Sequence, residues 1–422
     1  MRSFLKLKTL DQQKISWCLY DVGNSAFATT IMAAVYPVYF REVAASTLTG
    51  TLPTAYWGYA SSIALLFSAF LAPFLGTMAD LKGTKKRMLG IFTLMGIICT
   101  ALMATVNSGE WLSALMLLVL SSIGFSGAII FYDSLLPHIA SASEMDLLST
   151  QGFAAGYLGG GLLLAFNLMM IRYLPSMTGV KLSFISVALW WFIFSIPVMT
   201  KIPEPAFIRQ KDEIGTSSFM STYIRLKHTF AEIRKYREVF KFLLAFWLYN
   251  DGIGTIIRMA AIYGSQVGIG MTSLVGALLL TQFVGVPFSI FFGKMAKLIG
   301  GKRAIIIALI WYFMLSIGAV FLRTQLHFWL LATGVGMVQG GAQALSRSVY
   351  ASMVPKLQSA EFFGFYDISS KFAGIIGPAL FGLITHITGS SRIGIGVLSL
   401  TFIFGILILS KVDVEKGRAL SV

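Results

Sequence analysis

Long apolar runs separated by short polar turns set the pattern along the whole chain. A helix needs about 20 apolar residues to cross a bilayer, and the runs, read in order, predict about twelve spans. The first three fall near residues 15–40, 56–78 and 88–106; the fourth ends at 131–137, the fifth covers 148–171, and the sixth ends near residue 200. Because only helices or closed barrels satisfy their backbone groups within lipid, this pattern predicts an all-α membrane protein.

The apolar pattern breaks at one long segment in the middle of the chain. Residues 201–237 contain Pro203 and Pro205 and are rich in charge. The break predicts a bundle of six helices in residues 1–200, a cytoplasmic linker in residues 201–238 and a second bundle of six in residues 239–422. Within the linker, the basic residues of 221–237 and their helical character favour an amphipathic helix on the inner leaflet.

A basic turn occurs twice, about half a chain apart. Residues 76–87 read GTMADLKGTKKR and residues 293–303 read GKMAKLIGGKR, each between two apolar runs. A leading Gly, Met-Ala, a second Gly seven positions on and a basic pair recur in register. The two turns are 217 residues apart, and a nearly equal interval of 218 residues separates these pairs: Tyr132 and Tyr350, Pro137 and Pro355, Gly156 and Gly374, Gly159 and Gly377. Such internal duplication is a frequent way of building secondary transporters.

The composition agrees with a lipid-embedded chain. The 422 residues are 56% hydrophobic and only 12% charged, whereas soluble proteins are typically about 25% charged. The net charge of +15 is a topology signal, because 25 of the 33 Lys and Arg residues fall on one side if the N-terminus is cytoplasmic. Basic loops stay on the cytoplasmic side, so both termini are predicted there and a nucleic-acid partner is not expected.

Several charges fall inside the apolar runs, where each costs on the order of 3 kcal/mol and needs a reason. They are Asp21, Asp133, Asp251, Arg258, Arg347 and Lys371. A membrane carboxylate can bind a proton in one state and release it in another, and Asp21 and Asp251 are the best candidates. Each also has a structural interpretation, as a hydrogen-bonding group or as the partner of Arg258 or Arg347.

Other kinds of chemistry find little support in the sequence. The four histidines lie at helix ends or in loops, and the two cysteines lie in apolar runs, so no metal or cofactor is expected. There is no Gly-Lys-Ser/Thr phosphate loop and no nucleophile–base–acid set at a suitable spacing. A transporter is therefore favoured over a membrane enzyme, and the charges in several spans favour it over a sensor or scaffold.

The first basic turn resembles the loop between helices 2 and 3 of the major facilitator superfamily, whose pattern is G-x-x-x-D-x-x-G-[RK]-[RK]. The second copy has Lys297 where the pattern has an acid. The resemblance implies twelve transmembrane helices in two pseudo-symmetric six-helix bundles. It also implies that only the first turn is a latch that closes the cytoplasmic face, through Gly76, Asp80, Gly83, Lys85, Lys86 and Arg87.

Further motifs resemble the vacuole-effluxer-like branch of this superfamily, including its bacterial "unknown major facilitator" members. They are W-x-x-Y-D-x-x-N-S-A-F at 17–27, FYDSLLP at 131–137, GYLGG at 156–160, LYNDG at 248–252 and QALSRS at 343–348. Asp133 departs from the branch, which is expected to have Asn there more often. The resemblance implies alternating access for an amino acid or a related small polar solute, and the carboxylates within the spans add proton coupling as a hypothesis. The alternative is a larger amphiphile such as a drug, siderophore or lipid-like metabolite, suggested by the 34 Phe and 19 Met residues.

In the superfamily fold, spans one, four, seven and ten line a central cavity. The resemblance therefore implies a substrate or coupling site made of Tyr20, Asp21, Asn24, Asp133, Tyr249, Asn250, Asp251, Arg258 and Arg347. The compact loops and the absence of any Asn-x-Ser/Thr acceptor favour a bacterial inner membrane. A monomer is expected, with a small-molecule substrate, protons and the bilayer as its partners.

Overall fold

The structure is a computed structural model that describes residues 2–50, 52–207, 222–225, 235–266 and 268–419. Twelve long helices follow one another within these ranges. They are α1 (Arg2–Ala26), α2 (Leu52–Lys82), α3 (Lys85–Leu102), α4 (Trp111–Ser134), α5 (Met145–Tyr173), α6 (Ser176–Lys201), α7 (Arg237–Gln266), α8 (Met271–Ile299), α9 (Gly301–Val320), α10 (Gln325–Met353), α11 (Ser359–Thr388) and α12 (Ser391–Ser410). The helices α1–α6 form the N-terminal half and α7–α12 the C-terminal half.

Nine helices of the described part are long and apolar enough to cross a membrane: α2–α6, α8, α9, α11 and α12. The other three, α1, α7 and α10, have the length but carry more polar side chains in their sequences. The first helix also continues beyond Ala26 in wider, π-helical turns, Phe27–Ala34 and Phe40–Ala44.

The boundaries of several predicted elements shift in the structure. The first helix begins at Arg2, well before the predicted start at residue 15. The two helices that flank the predicted linker extend into it, since α6 ends at Lys201 and α7 starts at Arg237. Of the predicted amphipathic helix, residues 222–225 are helical, whereas 221 and 226–234 lie outside the described residues.

Two turns need glycine for a physical reason. Gly83, between α2 and α3, has φ +60°, and Gly300, between α8 and α9, has φ +87°. A side chain strains the backbone in this left-handed region, which glycine adopts freely. The second Gly of each basic turn thus allows two helices to reverse direction within one or two residues.

Within the described residues, the turns after α2, α4, α8 and α10, the start of the segment after α6 and the residues around Lys14 and Arg418 lie at one end of the bundle, which we call the basic end. The two halves pack against each other there through α2 with α11 and α5 with α8. Small residues allow the close approach: a Cβ at Gly364 of α11 would lie 2.6 Å from the backbone of Pro73 in α2. A Cβ at Gly293 of α8 would lie 3.1 Å from the Cβ of Thr150 in α5. These contacts position the interior charges described next.

Candidate functional site

A buried arginine joins the two halves. Arg347, in α10, is 4% exposed. Its Nη1 donates to Asp133 Oδ1 of α4 at 3.0 Å, and its Nη2 lies 3.4 Å from Asp21 Oδ2 of α1. Its Nε donates to Ser149 Oγ of α5 at 2.8 Å, and Nη2 donates to the carbonyl oxygen of the same residue at 3.0 Å. We call Asp21, Asp133 and Arg347 the cross-half cluster.

Aromatic rings hold the cross-half cluster in place. The guanidinium lies 4.5 Å from the ring centre of Trp17 and 4.6 Å from that of Phe153. The Tyr132 hydroxyl donates to Asp21 Oδ2 at 2.8 Å, and Trp17 Nε1 donates to the carbonyl oxygen of Tyr132 at 3.0 Å. A guanidinium stacked on aromatic faces and bonded to carboxylates has its charge well stabilised despite burial.

The cross-half cluster contains one positive group and two acidic groups. With both carboxylates ionised its charge is −1, and with one proton bound it is neutral. An unpaired buried charge is costly. Because one carboxylate has no cation of its own, binding of a single proton to the cluster removes this unpaired charge. The arrangement can therefore bind and release a proton, and its three members belong to helices of different halves.

The first basic turn contacts the start of α11 in the other half through Asp80 and Lys85, and we call this contact the latch. The carboxylate of Asp80, at the end of α2, accepts from the backbone N–H of Ala360 at 3.3 Å and of Glu361 at 2.8 Å, in the first turn of α11. A helix N-terminus has unpaired N–H groups and favours a negative charge. Gly76 permits this approach, since a Cβ there would lie 3.0 Å from the nitrogen of Glu361 and closer still to Ala360.

The basic partner of Asp80 is Lys85, whose Nζ lies 2.7 Å from Asp80 Oδ1. Lys85 also donates to Ser359 Oγ at 2.8 Å, at the start of α11. The other two basic residues of the turn lie elsewhere: the backbone N–H groups of Lys86 and Arg87 donate to the Glu204 carboxylate, at 2.9 and 3.2 Å, and the Arg87 side chain is exposed. Asp80 and Lys85 thus carry the contact with the other half.

The second basic turn packs against the N-terminal half without such a carboxylate. Lys297, at the position of Asp80, is exposed. The neighbouring contact is made by Ser348 of α10, whose hydroxyl donates to Asp146 Oδ1 of α5 at 2.5 Å. Together with the latch, these bonds close the basic end of the molecule.

Asp251 and Arg258, both in α7, contact the backbone of α11. Asp251 Oδ1 accepts from the N–H of Gly377 at 2.8 Å, and Arg258 Nη1 donates to the carbonyl oxygen of Gly374 at 2.5 Å. Pro378 explains the second contact, because a proline inside a helix has no N–H for the carbonyl four residues earlier. Asp251 and Arg258 therefore stabilise a broken turn in α11, and neither lies in the cross-half cluster.

The remaining predicted site residues are more dispersed. The hydroxyls of Tyr20 and Thr93 are 2.8 Å apart, and those of Tyr249 and Ser346 are 2.6 Å apart, so each tyrosine bonds within its own half. Asn250 Nδ2 donates to Ser370 Oγ at 3.3 Å. Asn24 is buried in α1, with its side chain beside the carboxylate of Asp21.

Comparison with known proteins identifies the family. The family profile described as "Vacuole effluxer Atg22 like" matches residues 11–421. The chain belongs to this family. The resemblance read from the motifs is thereby confirmed.

Relatives of this Atg22-like chain occur in bacteria and fungi. The uncharacterized MFS-type transporter YxiO of Bacillus subtilis (strain 168) is 40% identical over 423 residues, covering 98% of each chain. Autophagy-related protein 22 of Saccharomyces cerevisiae (strain ATCC 204508 / S288c) is 23% identical over 416 residues, covering 85% of this chain and 78% of the relative.

Solved structures of similar fold are transporters. The proton:xylose symporter XylE, bound to 6-bromo-6-deoxy-D-glucose, superposes with a TM-score of 0.74 at 13% identity, covering 98% of this chain and 99% of the other. The human organic anion transporter MFSD10 (TETRAN) gives 0.73 at 14% identity, covering 95% and 99%. The Atg22-like chain is thus a multi-pass membrane transporter of the major facilitator type, and the predicted fold class is confirmed.

The sequence did not point to every polar residue of the interior of this Atg22-like protein. Asp367 was missed; it pairs with Lys371 on α11 and is largely buried. The i, i+4 spacing of opposite charges was a usable signal, because such residues meet on one helix face. Ser149 and the Tyr132 hydroxyl were also missed, since short hydroxyl side chains occur throughout membrane helices.

Proposed function

We propose that this protein is a secondary active transporter that moves an amino acid, or a related small polar solute, by alternating access driven by protons. The cross-half cluster is the observation that carries the proposal. It places two carboxylates against one guanidinium at the junction of the halves, so that gaining a proton changes the charge on which their contact depends. Binding of the substrate and binding of the proton then both shift the equilibrium between the states in which the two halves are closed and open at this junction.

The basic end is proposed to face the cytoplasm, with both termini there. The bias of Lys and Arg toward that end supports this orientation, and the bacterial relative supports a bacterial plasma membrane. With the basic end closed, the proposed binding region would be accessible from the side away from the cytoplasm in this state. A monomer is sufficient for this mechanism, because both halves are in one chain.

The test compares the wild type with Asp133→Asn in proteoliposomes loaded with a mixed pool of the twenty amino acids. The variant cluster has one carboxylate and one guanidinium and is neutral without a proton. We expect counterflow of one amino-acid class by both proteins, and accumulation driven by an imposed pH gradient by the wild type alone. Glu42→Gln, an exposed site at the opposite end, is the matched control.

The outcomes separate the parts of the proposal. If the folded wild type moves no amino acid, the substrate class is discarded and larger amphiphiles are screened next. If Asp133→Asn still accumulates substrate in response to the pH gradient, the cross-half cluster is not the coupling group.

A further inference from the structure

Arg258 is an exposed cation at the middle of the membrane-spanning bundle. Its guanidinium contacts Gly374, which is the midpoint of the thirty-residue helix α11. A charge at this depth is tolerated where it faces protein or a water-filled cavity rather than lipid. Arg258 is therefore expected to face protein or water and not lipid.

One face of α7 is covered and the opposite face is open. A Cβ at Gly252 would lie 2.8 Å from the Phe402 ring of α12, and Tyr249 packs on the same helix. Gly254, two residues on and thus on the opposite side of the helix, has open space beside it, with nothing within 4 Å of a Cβ placed there. Arg258 follows Gly254 by one helical turn, so its side chain lies beside that open space.

The guanidinium has hydrogen-bonding capacity to spare. Arginine has five N–H donors in a fork that matches a carboxylate. In the part of the chain that the structure describes, Arg258 makes one hydrogen bond, to the carbonyl oxygen of Gly374. The nearby acid, Asp251, is buried and accepts from the N–H of Gly377 instead. Among the described residues, no carboxylate forms a salt bridge with Arg258.

We propose that Arg258 binds a carboxylate group of the transported solute, which occupies the open space beside Gly254. Because this presupposes a transported solute, the proposal rests on the proposed function. It narrows the substrate class to carboxylates, which include amino acids and exclude their amides. The missing side chain of Gly254 provides the room, and the contact with Gly374 holds the guanidinium in place while its other donors remain available.

The first experiment measures thermal stabilisation of the purified full-length protein by each of the twenty amino acids and by the corresponding amides, which lack the carboxylate. We expect at least one amino acid to raise the melting temperature of the wild type and its amide to have no effect. Arg258→Gln keeps a donor for Gly374 and should fold, but the stabilisation by the amino acid should be lost. Arg323→Gln, at an exposed site before α10, should respond as the wild type does.

The second experiment measures counterflow of the stabilising amino acid. Arg258→Gln should raise KM about tenfold to 100-fold, the effect of losing hydrogen bonds to a charged group. Arg258→Lys keeps the charge without the fork and should raise KM less. Gly254→Leu fills the open space without altering Arg258 and should also raise KM, which a purely structural role of the arginine would not explain.

The proposal is overturned if amides stabilise the wild type as well as the amino acids do, or if Arg258→Gln retains the stabilisation. It is also overturned if no amino acid stabilises the wild type at all. The proposed function fails on a different result, namely the absence of transport by a protein that still binds the amino acid.

Discussion

Arg347 is the residue through which the halves share charge, since it contacts three helices of the other half. Replacing it with Gln leaves two buried carboxylates without a cation, and breaking a buried pair in this way costs about 3–5 kcal/mol. We therefore expect Arg347→Gln to lower the melting temperature strongly in detergent solution. Arg392→Gln, near the opposite end, provides the comparison for an ordinary arginine.

The loss in Arg347→Gln should depend on the carboxylates that it leaves behind. Adding Asp133→Asn removes one of them, so the double variant should melt above the single variant Arg347→Gln. If Arg347→Gln has the same melting temperature as the wild type, the cross-half cluster contributes little to the stability of the closed structure. Equal melting of the single and double variants would show that the loss arises from packing on Trp17 and Phe153 instead.

At this scale the sequence identified the buried charges and offered Arg347 as one possible partner of Asp21, but it did not predict that Asp133 joins the same contact. Asp21, Asp133 and Arg347 stand out because an ionised side chain in an apolar run is costly. Their contact joins residues more than 200 positions apart in the chain, which no local pattern encodes. Asp251 and Arg258 were also identified from the sequence. Their hydrogen-bond partners, however, are backbone groups of α11 next to Pro378 and not side chains.

At the scale of elements, α11 links the latch to the interior. The backbone N–H groups of its first turn donate to Asp80, and its broken turn at Gly374–Pro378 contacts α7. The pattern of apolar runs predicted this helix, and the internal repeat drew attention to Gly374 and Gly377. Neither predicted the capping of α11 by Asp80 at the end of α2, because that contact depends on how the two halves dock.

The latch yields a prediction for Asp80→Ala. The change removes the cap of α11 and leaves buried Lys85 without its carboxylate, and a lost cap alone costs about 1 kcal/mol. The labelling rate is measured in a background with Cys18 and Cys99 replaced by Ala and with the change Ala360→Cys. We expect Asp80→Ala to make this cysteine react with a membrane-impermeant maleimide at least about fivefold faster than in the same background with Asp80 intact. Inside-out vesicles expose the basic end to the reagent if the proposed orientation is correct.

Lys297→Ala is the matched control for the latch, because Lys297 occupies the corresponding position of the second basic turn and is exposed. It should leave labelling at position 360 unchanged. If both variants accelerate labelling equally, the two turns act alike and the acid at position 80 has no special part in closure.

At the scale of the whole molecule, the repeat in the sequence predicted two related halves, and the interior is less symmetric than the repeat. In the N-terminal half the acid of the first helix, Asp21, contacts an arginine from the other half. In the C-terminal half Asp251 and Arg258 both remain on α7 and bind α11. Duplication therefore accounts for the helix arrangement, whereas Asp133 and Arg347, which contact each other across the halves, lie at positions where the copies differ: 218 residues away stand Ala351 and Ile129.

Alternating access requires the contact between α5 and α8 at the basic end to open during each cycle. A Cβ at Gly293 would lie 3.1 Å from that of Thr150, a few tenths of an ångström below the roughly 3.5–4.5 Å found in disulfides, so the pair Thr150→Cys and Gly293→Cys should form one after a small shift of the helices. With the native cysteines replaced by Ala, we expect oxidation to stop counterflow and a reducing agent to restore it. The control pair, Gly23→Cys and Phe194→Cys, has a comparable separation of 3.0 Å but joins helices of the same half. Oxidation of the control pair should leave transport intact, whereas undiminished transport with the α5–α8 disulfide formed would exclude opening at this end.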